Sequence, residues 1–344
     1  MSKELYSDSP TLSQQRDSKK FLIAFLPASD NGLSFRGTEV AMFYYAFFNQ
    51  RILNNSSIIC LGKSAYNHPT AFKLFSEKFP IIYFETTNDL ENQLLTLKVD
   101  ALYCIRSGNI KEPMLKSVPM FVHCVYDMSQ PHGLVYAGVS ESVAKKFNST
   151  VFVPHIVYLD DGQDDYRDVL NIPKNAVVFG RHGGVDTFDL IIAKEAIIRI
   201  LNSRSDIYFL FAVRPNLLHD VDHPRFIGLE SFSDLGIKRR FINTLDYFIH
   251  AQSLGETFGL SCMEASLANK PVITWNGGRC QEHLRILGNK CIKYNNAEEL
   301  FNIMNTANPQ VDKTKDWNAT REYTPEKVME IFDRVFIKSL LTKV

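Results

Sequence analysis

The stretch GETFGLSCMEA, residues 255–265, sets two acidic side chains, Glu256 and Glu264, eight positions apart among small and apolar neighbours. Gly255 interrupts the preceding pattern and FGLSCMEASLA has helical composition, so a helix is expected from about Thr257 or Phe258. The first-turn amides of such a helix lack intrahelical partners and lie at the positive end of its macrodipole. Gly255 and Gly259 would let an anion approach the backbone, which makes this helix start suited to phosphate. Eight helical residues span roughly 12 Å. That is too far for the carboxylate pair of a retaining glycosidase, which needs about 5 to 5.5 Å. It suits a ligand with hydroxyl-bearing rings at the two ends of a diphosphate, as in a nucleotide-diphosphate sugar. Taken alone, the spacing also fits an ordinary amphipathic helix carrying two solvated glutamates.

The surrounding chain must hold this segment in place. FLIAFLP (21–27), SIIC (57–60), IIYF (81–84), ALYCI (101–105), MFVHCV (120–125) and VYAGVS (135–140) read as strands covered on both faces, because successive residues are apolar. Helical patterns fall between the earlier ones: TEVAMFYYAFFNQRIL, HPTAFKLFSEKF and NDLENQLLTL. The rhythm breaks over 151–176, where VFVPHIVYL runs into the acidic DDGQDDYRDVLNIPKN, and then restarts. AVVFGR (176–181), IYFLFAV (207–213), TLDYFIHA (244–251) and PVITW (271–275) are the next strands, with a helix over FDLIIAKEAIIRILN. Strand–helix alternation predicts an α/β protein with two doubly wound domains. The expected division is a polar, disordered tail over 1–20, a first domain over 21–155 and a second over 156–323. The final segment TPEKVMEIFDRVFIKSLL has helical spacing, with Thr324 as N-cap and Pro325 near N1, and is expected to pack back on the first domain.

Bulk properties exclude several function classes. With 38 basic and 38 acidic residues the formal net charge is zero, so no global field draws nucleic acid or an anionic membrane. No apolar run approaches the roughly 18 residues of a membrane span. Six scattered cysteines lack any metal-ligand spacing and read as buried thiols in a reducing compartment, so a cytoplasmic protein is expected. The sequons at Asn148 and Asn318 carry little weight without a secretion signal. No G-x-G-x-x-G follows any expected strand, which disfavours a dinucleotide-dependent dehydrogenase.

Glu256 and Glu264, separated by seven residues, with Gly259 at the fourth position, Ala265 after the second glutamate and NKPVITW beyond, resemble the E-x7-E signature of retaining glycosyltransferases. The resemblance is to the two-domain GT-B proteins of the glycosyl transferases group 1 family, related to glycogen and sucrose-phosphate synthases, and covers most of 176–292. It implies two Rossmann-like domains facing a cleft. In AVVFGR it gives Gly180 to the donor site and sets Arg181 against the donor diphosphate; it places His250 at the cleft rim. The amides of Thr257, Phe258, Gly259 and Leu260 would face the phosphates, Glu256 the transferred sugar and Glu264 the nucleotide ribose. LPASDNGLSFRGTEVA resembles the family's glycine-rich loop more loosely, with Gly37, Thr38 and Glu39 in place of Gly-Ala-Glu; its free amides would meet phosphate or acceptor, which counts Gly37 and Thr38 among the donor-binding residues.

The chain also departs from the family. The position of a second diphosphate-binding lysine is Asp186, so Arg36, Arg279 or the amides of Gly183 and Gly184 are the candidates to compensate. Where the family has His-Asp, the chain reads Tyr126-Asp127. His123 joins Glu256 and Arg181 as a catalytic candidate, but His123, His132 and His283 read equally well as hydrogen-bonded structural residues. The resemblance implies a metal-independent, retaining, hexosyltransferase-type enzyme with no cofactor beyond its nucleotide-sugar co-substrate. It would pass a sugar to a glycan or another hydroxyl acceptor. A nucleotide-sugar epimerase on the same architecture, or a non-catalytic nucleotide-sugar or carbohydrate-binding protein, are the alternatives.

Overall fold

The computed structural model describes residues 20–28, 32–231 and 235–342. Apart from Lys20, the expected tail lies outside the described residues, as do positions 29–31 of the glycine-rich loop. The first half contains strands β1 (Leu22–Leu26), β2 (Ser56–Gly62), β3 (Ile81–Phe84), β4 (Ala101–Arg106), β5 (Met120–Cys124) and β6 (Val135–Gly138). They form one parallel sheet in the order β3-β2-β1-β4-β5-β6. Helices α1 (Gly37–Arg51), α2 (Pro69–Ser76), α3 (Thr87–Thr96) and α4 (Glu141–Lys146) connect or follow them. The apolar runs read from the sequence coincide with these strands to within two residues. Covering on both faces, expected of all six, holds for the inner strands, whereas the edge strand β3 leaves Tyr83 exposed.

The second half contributes β7 (Val177–His182), β8 (Ile207–Ala212), β9 (Phe226–Leu229), β10 (Tyr247–His250), β11 (Gly255–Glu256), β12 (Val272–Trp275), β13 (Cys280–Gln281) and β14 (Cys291–Tyr294). Six of these make a second parallel sheet, ordered β14-β12-β10-β7-β8-β9, while β11 pairs with β13 apart from it. Helices α5 (Ile191–Ser203), α6 (Leu235–Thr244), α7 (Leu260–Leu267), α8 (Glu282–Leu287), α9 (Ala297–Thr306) and the single turn α10 (Pro309–Asp312) complete this half. The acidic loop before β7 lies across α6, where Arg239 and Asn243 donate to the Gly162 carbonyl and Arg240 to that of Asp165. Hydrogen bonds donated to its backbone carbonyls thus hold a segment whose polarity alone reads as a linker or surface loop.

Chain order defines where a ligand belongs. The chain leaves β7 toward β8 and β9 on one side, then returns to place β10 on the other. In open parallel sheets the crevice at such a reversal, at the carboxyl ends of the strands, is the usual ligand site. Arg181 and His182 end β7, and His250 ends β10.

The last helix, α11 (Pro325–Val335), is capped by the Thr324 hydroxyl, which accepts from the Lys327 amide, with Pro325 in its first turn. Its Val328, Met329 and Phe332 are buried in the same cluster as β1, β4 and β5. Phe332 stacks on Tyr45 of α1 with ring centroids 5.2 Å apart. Phe332→Ala should therefore cost about 3–5 kcal/mol of stability, read by urea denaturation. An unchanged unfolding midpoint would show that α11 adds nothing to that core.

Candidate functional site

The GETFGL segment begins differently from its expected form. Glu256 lies in β11, paired with Gln281 of β13, and α7 starts only at Leu260. Gly259 sits between them at φ +85°, a left-handed conformation that a side chain disfavours. A Cβ there would lie 3.0 Å from the Cβ of His283. Strand pairing and this glycine together delay the helix by two or three residues, so a helical rise does not set the distance between Glu256 and Glu264. The first intrahelical bond runs from Met263 N to Gly259 O, 3.0 Å, leaving the preceding amides at the positive helix end. Phe258 is buried against His155 and Tyr323, with centroids 5.1 and 5.3 Å away. His155 packs among the side chains of the first domain, so this loop sits where the two halves meet.

Arg181 projects from β7 and is 3 % exposed. Its Nη2 donates to Thr187 Oγ1 at 2.7 Å and to Gly184 O at 3.3 Å, and the guanidinium lies over the Phe188 ring. Nη1 is buried and has no hydrogen-bond partner. Burial lowers the Arg181 pKa to about 10, with Glu256 acting in the opposite direction, so the group is a cation at neutral pH. An unpaired, buried cationic N–H is costly unless something anionic meets it. Gly180 has a packing reason to be glycine: a Cβ would lie 2.2 Å from Leu210 O.

Glu264 is 1 % exposed and forms part of a buried charge cluster. Lys238 of α6 donates to its Oε1 at 2.7 Å, and His182 Nε2 lies 3.2 Å from its Oε2. Burial opposes ionisation of Glu264, but Lys238 and His182 outweigh it and hold the carboxyl pKa below its ordinary value. Burial likewise opposes the Lys238 charge, and Glu264 with Tyr44 more than offsets it. Tyr44 belongs to α1 of the first domain, so this cluster ties the two domains together. Lys238, His182 and Tyr44 were not singled out in the sequence. They lie on three separate elements and no local spacing links them.

The other expected positions are distributed as follows. His250, 4 % exposed, has its Nε2 3.4 Å from Glu256 Oε1. His283 is buried beside it, with ring centroids 4.7 Å apart. Gly37 and Thr38 open α1 in the first domain, where Thr38 and Ser34 both donate to the buried Glu39 carboxylate. His123 is fully buried in the first core; its Nε2 donates to Val153 O at 2.8 Å and its Nδ1 lies 2.7 Å from Tyr103 Oη. Burial pushes its pKa down to about 4. The structure therefore groups Arg181, His250, Glu256 and the start of α7, and sets His123 among packed aromatic rings. Asp186 accepts from Asn216 at 2.8 Å, and Arg36 and Arg279 are both exposed. A separate small cavity lined by Asp246, Lys270 and Asp312 lies at the amino ends of β10 and β12, away from this group. Among the described residues no cluster of three or more His, Cys, Asp or Glu side chains is arranged to hold a metal ion.

Removing Lys238 would strand a buried carboxylate. Lys238→Ala is expected to cost about 3–5 kcal/mol at pH 7. The folded Glu264 pKa is depressed, so its stabilisation is complete above the ordinary carboxylate value of about 4.3 and is lost as pH falls through the lower folded value. Urea denaturation of both proteins at pH 7 and at pH 3 should show the difference shrinking with acid; a constant difference would contradict the assigned charges.

No protein-family model and no curated protein matches the chain. Several solved structures share its fold. HepE from Anabaena, in complex with UDP and glucose, is 15% identical over 94% of this chain and 99% of its own, with a TM-score of 0.69. A glycosyltransferase from Rickettsia africae is 15% identical over 95% and 100%, with a TM-score of 0.64. A Listeria monocytogenes protein provisionally described as a UDP-N-acetylglucosamine 2-epimerase is 12% identical over 95% and 98%, with a TM-score of 0.59. The likeness spans both halves, so the fold is the paired Rossmann-like arrangement called GT-B.

Proposed function

We propose that this protein is a retaining glycosyltransferase of hexosyltransferase type, moving a sugar from a nucleotide-diphosphate donor to a hydroxyl acceptor such as a glycan. The observation that carries this reading is the buried Arg181, with an unpartnered Nη1, beside Glu256 at the reversal of the second sheet. As the glycosidic bond breaks, charge builds on the leaving diphosphate. Arg181 and the amides from Thr257 to Leu260 stabilise that charge, so the reaction proceeds without a metal. Glu256 meets the sugar hydroxyls. Glu264 serves the nucleoside end together with Lys238 and His182, which already occupy its oxygens. The first domain carries the acceptor side, while Gly37 and Thr38 at the start of its α1 contribute to binding the donor. All six cysteines are free thiols, which fits the cytoplasmic setting we propose. No helix among the described residues is long and apolar enough to cross a membrane.

Epimerisation of a nucleotide sugar is the second reading, favoured by the likeness to the Listeria protein. It uses the same diphosphate site, and product analysis separates the two.

UDP-, GDP- and ADP-sugars should be tested for thermal stabilisation, since a ligand at 100 times its Kd adds about 2.7 kcal/mol to the native state. At least one is expected to stabilise the protein, and none doing so would contradict the donor site. With the active donor, Arg181→Gln should lower turnover by about 10²–10³-fold, and Glu256→Gln should damage kcat more than donor affinity. Wild-type kinetics in both variants would remove these residues from the chemistry.

A further inference from the structure

The Tyr126-Asp127 pair has no part in the diphosphate site, yet the fold holds its backbone firmly. Tyr126 follows β5 at the carboxyl edge of the first sheet. Its amide and that of Asp127 both donate to Ser107 O, at 3.0 and 2.9 Å. Tyr136 Oη donates to Gly108 O at 2.6 Å and lies 3.2 Å from Asp127 O. Gly108 has φ +119°, and a Cβ there would lie 1.6 Å from Asp127 O, so the loops after β4 and β5 interlock. The Asp127 carboxylate accepts from the Ser129 amide at 2.7 Å, which closes the turn.

The side chain is free where the backbone is fixed. Tyr126 is 50 % exposed, and among the described residues its hydroxyl has no hydrogen-bond partner and its ring no aromatic neighbour. What the phenol faces belongs to the other domain. Partial burial, then the charges of Glu256 and Cys280, raise its pKa, so it stays protonated and neutral at physiological pH. Cys280 is paired with Gly255, next to Glu256, in the β11–β13 ribbon. Helix α4 of the first domain reaches the residues that follow this ribbon: Ser142 Oγ donates to the Glu282 carboxylate, and Glu141 lies 3.4 Å from Arg285. Contacts on both sides of the boundary thus keep the edge that carries Tyr126 against the ribbon that carries Glu256. A neutral O–H and a carboxylate facing each other, with half of the ring uncovered, suit a ligand rich in hydroxyls. A phenol can give its hydrogen to a sugar oxygen and accept one from a sugar hydroxyl.

We propose that Tyr126 is a sugar-binding residue supplied by the first domain, and that its hydroxyl and the Glu256 carboxylate hold the transferred sugar from the two sides of the domain boundary. The sugar, and not the nucleoside diphosphate, is then the part of the donor that spans both domains. This rests on the glycosyl-transfer reading above, which supplies the sugar.

The test compares a nucleotide sugar that stabilises the protein with its own nucleoside diphosphate, by calorimetric titration of the wild type and Tyr126→Phe. The substitution removes one unbonded oxygen from a half-exposed side chain, so the variant is expected to fold as the wild type does. Tyr126→Phe should weaken binding of the nucleotide sugar about three- to tenfold and leave that of the nucleoside diphosphate within about twofold. Equal affinity of the two proteins for the nucleotide sugar overturns the proposal. An equal loss with both ligands overturns it too, because the phenol would then serve the nucleotide. If neither ligand binds the wild type, the diphosphate site itself falls, and no sugar is brought to Tyr126.

Discussion

The site depends on a cation that the fold buries without fully pairing it. Arg181 is anchored through one nitrogen to Thr187 and Gly184, and its other terminal nitrogen is left in a water-poor position with nothing to donate to. Such a group costs stability in the isolated chain and gains an interaction only when an anion arrives. Its placement at the end of β7 is a consequence of parallel sheet topology, in which the strands flanking the reversal point their carboxyl ends at one crevice. Glu256, His250 and the start of α7 gather there for the same reason.

A second constraint couples that crevice to the rest of the molecule. Glu264 is satisfied within the second domain by Lys238 and His182, and Lys238 faces Tyr44 on the first helix of the other domain. Phe258, two residues beyond Glu256, packs against His155 from the first domain. The loop that would hold the donor is therefore braced by contacts across the domain boundary, so relative movement of the domains and the shape of the loop are linked mechanically.

Much of this was legible in the sequence. Apolar runs such as IIYF and ALYCI predicted strands that lie where expected, and the Thr324–Pro325 pair marked the start of α11. Arg181, Glu256 and His250 were recognised as a group, and they are neighbours. The start of α7 was placed two or three residues too early, because composition does not reveal the β11–β13 pairing or the left-handed Gly259. The partners of Glu264 were invisible for a different reason: Lys238 of α6 and His182 of β7 reach it only through long-range contacts that no local spacing announces.

The most direct test of the central claim is a crystal structure of the protein with a bound nucleoside diphosphate. The phosphates are predicted to lie against Arg181 Nη1 and the amides at the start of α7, with the nucleoside end toward Glu264. Phosphates bound elsewhere, with Arg181 Nη1 still unpaired, would contradict it.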